Sequence, residues 1–412
     1  MKRILLVQPA FPIPPKSLNH KDYLPVGLLK LGHYHKQLGH EVALALGVVR
    51  TDFRPDEIYV TSLFTYWASH VRDSVQAYRL LFPEAKITVG GIYASLAPDH
   101  CLEYTRCDDV FRGVHQGAEE CGPDYGLVDT PFQIIHASRG CVRRCKFCGT
   151  YEIEPDFEPK ESIADEVVRN HLVFYDNNLL ANPHIEDLLS ELAAVRINGR
   201  VVTAESQSGF DGRILLDRPR LARLLKDAHF RTPRIAWDGT LREADSIRRQ
   251  LDVLQSAGFA PKDTQVFMLF NHELRPEVLM AKVQQCFDWG VQVSDCRFRP
   301  LDRFEDGYRP YCRSQEPGEY YLHSGWTDGD VRGLRREVRA NNICVRYRIP
   351  RSRYSKALEQ LSGTERRRIA LRLGIETKRY SLDELDAINR QWEADRTATL
   401  TRGVQVESPR DV

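Results

Sequence analysis

The chain has 412 residues, 58 Lys and Arg against 57 Asp and Glu, and a formal charge of +1; that balance excludes a histone-like basic protein and an acidic-tail protein. With 42% hydrophobic and 9% aromatic residues it is too apolar for disorder, and its length suits two or three domains. No apolar run approaches the ~18 residues needed to cross a bilayer. Met1–Pro15 offers only the short run Ile4–Val7 before Gln8 and several prolines, which is no secretory signal, so a soluble, cytoplasmic protein without a membrane partner is expected.

In chain order, the expected strands begin with Arg3–Pro9, Glu41–Leu46, Asp56–Leu63, Lys86–Val89 and Asp108–Arg112. Helical spacing covers Val26–His40 and Val71–Leu81 between them. Such alternation predicts α/β architecture: an open parallel sheet with helices on both faces, binding ligands at the strand C-terminal edge, where Gly90-Gly91 falls. Gly117–Pro131, with three glycines, two prolines and four acidic residues and no period, reads as an interdomain linker. Alternation restarts with strands Phe132–Ala137, Leu172–Tyr175, Val201–Ala204, Arg234–Trp237, Gln265–Phe270 and Gln292–Arg297. The intervening helices are Ser162–Asn170, Ile185–Val195, Arg220–Ala228, Ala244–Ala257 and Pro276–Trp289. That spacing suits a partial TIM-like barrel of six βα units, or a second open sheet.

Beyond Pro300 the segment Val331–Ala340 is helical and arginine-rich, Leu358–Arg396 polar and helical, and Thr399–Val412 frayed. The expected domains are therefore 1–116, a linker 117–131, a barrel 132–300 and a mainly helical C-terminal extension 301–412.

Ten cysteines without an export signal are read as thiols or metal ligands rather than a disulfide frame. Cys101, Cys107, Cys121, Cys286, Cys296, Cys312 and Cys344 are scattered and read as small buried hydrophobes. Cys141, Cys145 and Cys148 instead form the C-x3-C-x2-C run of Gly140-Cys141-Val142-Arg143-Arg144-Cys145-Lys146-Phe147-Cys148-Gly149, directly after the first barrel strand. A closed zinc site needs four ligands, and no matching pair is in view. Three thiolates on a cubane would hold three irons and leave one coordination position open. At a strand end, that open iron would lie at the barrel mouth, beside basic residues suited to an anionic cluster.

This run, with the six βα units around it, resembles the radical SAM superfamily over about residues 131–300. The resemblance implies that Cys141, Cys145 and Cys148 bind a 4Fe-4S cluster whose open iron is chelated by S-adenosylmethionine. Reduction then yields a 5′-deoxyadenosyl radical, the electron coming from a donor such as flavodoxin or ferredoxin. Phe147 would lie against the adenine. The family's Gly-Gly-Glu segment is replaced by Phe174-Tyr175-Asp176-Asn177-Asn178, where Asp176 is the substitute acceptor for the methionine ammonium. Glu205, Gln207 and Asp238 follow the third and fourth strands and would reach the ribose, the methionine or the substrate, or else serve as caps and solvated loop residues.

Pro25-Val26-Gly27-Leu28-Leu29, the strand end at Ser62, Gly90-Gly91 and Arg112-Gly113 are similar to the cobalamin-binding-like Rossmann domain of one large radical SAM group, whose Gly-Gly and Ser/Thr loops cradle the corrin. The D-x-H-x-x-G motif that supplies a cobalt ligand is absent, and His33, His35 and His40 are expected to be solvated. Two outcomes stay open: cobalamin bound without a protein ligand to cobalt, implying methyl transfer to an unactivated carbon, or the fold kept without it, implying rearrangement, oxidation or epimerisation. The substrate is expected to be a small molecule. The arginines of 297–353 (Arg297, Arg299, Arg303, Arg335, Arg336, Arg339, Arg346 and Arg348) keep a phosphate-bearing or nucleic-acid substrate open. From another class, the alternative is a non-catalytic iron–sulfur or zinc regulator that binds nucleic acid, with Arg366–Tyr380 as half a helix-turn-helix. Trp326 with Asn341-Asn342 is expected to close the barrel mouth.

Overall fold

A computed structural model describes residues 1–13 and 24–348, together with 387 and 390. Apart from Ala387 and Arg390, the expectations for Leu358–Arg396, Arg366–Tyr380 and Thr399–Val412 lie outside the described residues. Among those residues no helix is long and apolar enough to cross a membrane. The chain is of mixed α/β class with parallel sheets. It divides into two compact units, the first made of 1–208 with 227–230 and 300–307, the second of 209–226, 231–299 and 308 onward.

The first unit opens with β1 (Arg3–Gln8), α1 (Val26–Gln37), β2 (Glu41–Leu46), β3 (Glu57–Ser62), α2 (Ala68–Leu81), β4 (Lys86–Gly91), α3 (Ile92–Leu96), α4 (Pro98–Thr105) and β5 (Asp109–Val110). Its five strands form one sheet in the order β2-β1-β3-β4-β5, every pair parallel. β1 shows why: Ile4 and Leu6 cluster with Leu28 of α1, while Leu5 and Val7 cluster with Ile58, Val75 and Tyr78 on the other face. A central parallel strand is buried on both faces, and each such side chain contributes roughly 1.5–3 kcal/mol. His35, expected to be solvated, is buried, its ring stacked on His40 and tilted against Tyr59.

The stretch read as a linker is built onto α1. It carries the end of α5 (Gln116–Glu119) and a 3-10 turn, Tyr125–Leu127. Lys30 pairs with Glu119 at 2.7 Å, Lys36 with Asp124 at 2.6 Å, and Leu127 joins the Ile4 and Leu6 cluster. Charge complementarity with α1, a long-range property, turns a turn-rich segment into packed structure.

Next come β6 (Gln133–Ile135), β7 (Ser138–Arg139), α6 (Thr150–Ile153), β8 (Glu158–Pro159), β9 (His171–Phe174), α7 (Ile185–Ala194), the hairpin β10 (Arg196–Ile197) and β11 (Arg200–Val201), and β12 (Thr203–Ser206). β12, β9 and β6 form a parallel sheet in that order. The helix expected over Ser162–Asn170 is reduced to a 3-10 turn, Ala164–Glu166. The Gln133 side chain takes the backbone groups a helix would use, donating to Glu166 O at 2.6 Å and accepting from Val168 N at 2.9 Å.

The second unit holds α8 (Gly212–Asp217), α9 (Arg220–Asp227), β13 (Arg234–Ala236), α10 (Ala244–Ser256), β14 (Gln265–Phe270), α11 (Pro276–Asp288), β15 (Gln292–Arg297) and α12 (Asp328–Tyr347). Its parallel sheet runs β13-β14-β15, so the six strands of the expected barrel fall into two three-stranded sheets. α12 starts before the expected Val331, because Thr327 and Asp330 form a capping box. The Asn342 amide exchanges two 2.7 Å hydrogen bonds with Val293 and so completes the edge of β15. Trp326 donates to the carbonyls of His272 and Leu274 after β14. Arg335 pairs with Asp295 at 3.1 Å and Arg297 lies 4.5 Å over Tyr308, so these guanidiniums serve packing inside the unit.

The two glycines ending β4 differ. Gly91 has φ +99° and a Cβ there would collide with the Ser62 carbonyl oxygen, whereas one on Gly90 would meet Phe111 at an ordinary 3.7 Å. Gly91→Ala should therefore lose more than about 1 kcal/mol in urea denaturation, and Gly90→Ala less.

Candidate active site at the cysteine loop

β6 carries the chain to His136 and Ala137, and β7 then pairs antiparallel with β8, Ser138 opposite Pro159 and Arg139 opposite Glu158. This neck closes 140–157 into a loop. Gly140 sits in the neck at φ +70°, where a Cβ would strike the Asp156 carbonyl oxygen, so only glycine fits. Within the loop Cys148 N donates to Cys145 O at 3.0 Å, and Arg143 N donates to Cys141 Sγ at 3.4 Å. Cys141, Cys145, Phe147 and Cys148 are half-buried, while Val142, Arg144 and Lys146 are exposed. Arg143 is half-buried as well, so exposure alternates along the loop without separating thiols from cations. Among the described residues no three His, Cys, Asp or Glu side chains gather around a single point at metal distance. The ligands of a cubane bind separate irons, and three half-buried thiols with an amide already donating to one sulfur are a donor set that suits such a cluster.

Two carboxylates hold this loop. Asp176, just beyond β9, is fully buried, accepting from Ala137 N at 3.1 Å and from Ser138 Oγ at 2.7 Å. Burial pushes its carboxyl up to about 6, although the hydrogen bonds pull the other way. Asn182, also fully buried, donates to Ala137 O and Lys160 O across the same neck. Glu154 follows α6 and accepts from Gly140 N at 2.7 Å. Its other oxygen lies 3.0 Å from Arg139, which reaches Glu119 at 3.6 Å and donates to His136 Nε2 at 3.0 Å. Burial beside Arg139 holds His136 well below its ordinary value, so it accepts as a neutral imidazole. The Lys30 ammonium on Glu119 is likewise lowered by burial, with the carboxylate opposing.

A cavity of about 460 Å³ adjoins this network within the first unit, a size suited to a small-molecule ligand. Ser62, Gly90 and Gly91 line it at the edge of the five-stranded sheet; Tyr175, Asn177 and Gln207 line it at the ends of β9 and β12, with Arg139 and Glu154 between. The structure thus brings four of the expected residues to one cavity. Ser62 Oγ is engaged by the sheet, donating to Gly90 O at 2.8 Å and accepting from Ala94 N at 3.0 Å. Glu205 is half-buried in β12, its carboxylate 3.5 Å from His171.

Asp238 belongs to the second unit, just after β13. Lys282 of α11 is fully buried there, donating to Trp237 O at 2.6 Å and Gly239 O at 2.9 Å on either side of Asp238. Desolvation raises the Asp238 carboxyl, opposed by this ammonium, which burial lowers to about 8. Of the scattered cysteines, Cys101, Cys107, Cys121, Cys286 and Cys344 are buried, Cys312 is half-buried and Cys296 is exposed. Sequence reasoning missed Arg139, Glu154, Asn177 and Lys282. A glutamate six residues beyond Cys148 and an arginine before Gly140 carried no periodic signal, and only the closed neck unites them.

Compared with known proteins, the chain matches no family model and no curated protein.

Because Asp176 is raised in the folded state above the ordinary 3.8, the native protein binds its proton more tightly than the unfolded chain does. The contribution is fully present below the unfolded value of 3.8 and is lost as pH rises through 6. Relative to Asp176→Asn, the wild type should lose on the order of 2 kcal/mol between pH 4 and 7, out of about 3 kcal/mol for the whole shift at about 1.36 kcal/mol per unit. Urea denaturation of both proteins across that range measures it.

Proposed function

We propose that the protein is a radical SAM enzyme, acting on a small molecule by way of a 4Fe-4S cluster on Cys141, Cys145 and Cys148. One observation carries this: a C-x3-C-x2-C loop, closed at its neck, leaves the end of a strand in a parallel sheet beside a ligand-sized cavity. In this reading the five-stranded sheet is a Rossmann-like domain of the cobalamin-binding type. In the same reading the strands of the two three-stranded sheets correspond, in chain order, to the six strands of a partial (β/α)6 barrel.

When bound, the cluster would supply one electron to the sulfonium of S-adenosylmethionine, splitting it into methionine and a 5′-deoxyadenosyl radical that takes a hydrogen atom from the substrate. The chain's own residues orient and shield. Arg143 N stabilises thiolate character at Cys141. Phe147 offers a half-buried ring to the adenine. Tyr175, Asn177 and Gln207 supply cavity polar groups for the methionine, the ribose or the substrate. Burial raises the Tyr175 phenol to about 12, so it donates as a neutral hydroxyl. Asp176 is spent on the neck.

The Ser62 hydroxyl is already spent on Gly90 O and the Ala94 amide, and Gly91 is spent on a tight turn against Ser62. These observations favour the branch that keeps the fold without cobalamin and performs rearrangement, oxidation or epimerisation.

Anaerobic reconstitution with iron and sulfide should give about four irons per chain and, with a reductant such as flavodoxin or ferredoxin, 5′-deoxyadenosine from S-adenosylmethionine. Cys145→Ala should lose both. One zinc per chain with no cleavage would overturn the assignment. Supplying hydroxocobalamin during purification should leave no corrinoid band in the absorption spectrum; a stoichiometric band would return the protein to the methyl-transfer branch.

A further inference from the structure

We infer that Glu154 is a positioning residue that grips both ends of the cysteine loop at once and thereby fixes Cys141 relative to Cys148. This deepens the reading above and rests on it for the loop's purpose, although the grip is a property of the protein alone.

At the first end, Glu154 Oε2 accepts the Gly140 amide, adjacent to Cys141, at 2.7 Å. At the far end Cys148 Sγ donates to Thr150 Oγ1 at 3.2 Å, and Thr150 donates to Asn177 Oδ1 at 3.2 Å. The Asn177 amide returns to Glu154 Oε2 at 3.5 Å. One carboxylate oxygen therefore receives a short bond from one end of the loop and closes a relay from the other. Arg139 holds the opposite oxygen at 3.0 Å and so fixes the carboxylate plane. Backbone pairing does not perform this task. The β7–β8 ladder stops at Arg139, and beyond it Gly140 has a positive φ that other residues rarely adopt. A residue with that much freedom needs its amide held from outside the ladder. A charge-assisted acceptor is the stronger means.

The position of Glu154 also links loop and ligand. Glu154, Arg139 and Asn177 all line the 460 Å³ cavity, so the groups that set the thiol spacing are wall groups of the chamber beside it.

The test uses the full-length protein without iron. In hydrogen–deuterium exchange read by mass spectrometry, Glu154→Ala should speed exchange at the Gly140 amide by about tenfold, the factor expected for losing one charge-assisted hydrogen bond. It should also speed iodoacetamide labelling of Cys148. Glu154→Gln, which keeps an acceptor oxygen, should recover most of the protection. Asn177→Ala should free Cys148 and leave the Gly140 amide protected. Glu158→Ala, at an exposed position on the same neck, should change neither. Wild-type exchange at Gly140 in Glu154→Ala would overturn the proposal, as would equal loosening of both ends by Asn177→Ala. If Glu154→Ala does not fold, Glu154→Gln and Asn177→Ala still decide the matter, because only the second should separate the two ends. Failure of the wild type to take up iron would count against the cluster assignment and leave the exchange result standing on its own.

Discussion

A loop that carries several thiols has little backbone pairing of its own, so its shape depends on whatever grips its base. Here the grip is a two-residue antiparallel neck, Ser138–Arg139 against Glu158–Pro159, backed by carboxylates on both sides. Asp176 is the inner one. It is completely buried and spends both oxygens on the backbone and hydroxyl that lead into the neck. Such a group costs desolvation, as its raised pKa records, and the cost is tolerated because the hydrogen bonds define one conformation of an otherwise weakly specified turn.

Around the neck, charges alternate: Lys30, Glu119, Arg139 and Glu154, with His136 held neutral. Two cations face two carboxylates, so the cavity wall they form carries little net charge. Buried pairs of this kind contribute little to stability on balance, but losing one partner leaves the other uncompensated. The row therefore acts on geometry. It spans α1, α5, the neck and the residue after α6, joining segments far apart in the chain. Both the apparent linker and the cysteine loop owe their order to it.

Much was legible from one-dimensional pattern. The unbroken apolar run Ile4–Val7 read as a strand, which the structure buries on two faces, and the cysteine spacing singled out one loop from ten cysteines. What failed to read were places where a side chain replaces backbone. Gln133 supplies the hydrogen bonds that a helix over 162–170 would have made internally. Asn342 imitates a neighbouring strand along β15, although in sequence it follows the expected Val331–Ala340 helix as a candidate for the barrel mouth. Lys282 reads as a surface lysine of an amphipathic helix, yet is fully buried, its charge spread over two carbonyls and the Trp237 ring. In each case the partner is tens of residues away, and nothing in local propensity encodes it.

The sequence alone determined the α/β class and the strands of the parallel sheets, and it marked Gly90-Gly91 at a strand end and the C-x3-C-x2-C spacing. Those properties arise from hydrophobic period, backbone sterics and residue spacing, which are local and additive. Only the tertiary structure decided that Asp176 braces the neck, that Glu154 and Arg139 flank the cysteines, and that the edge of the five-stranded sheet shares a cavity with the ends of β9 and β12. Those outcomes depend on which buried polar groups find partners once distant segments meet. A buried polar group must be satisfied by whatever lies within hydrogen-bond reach, and folding sets that reach.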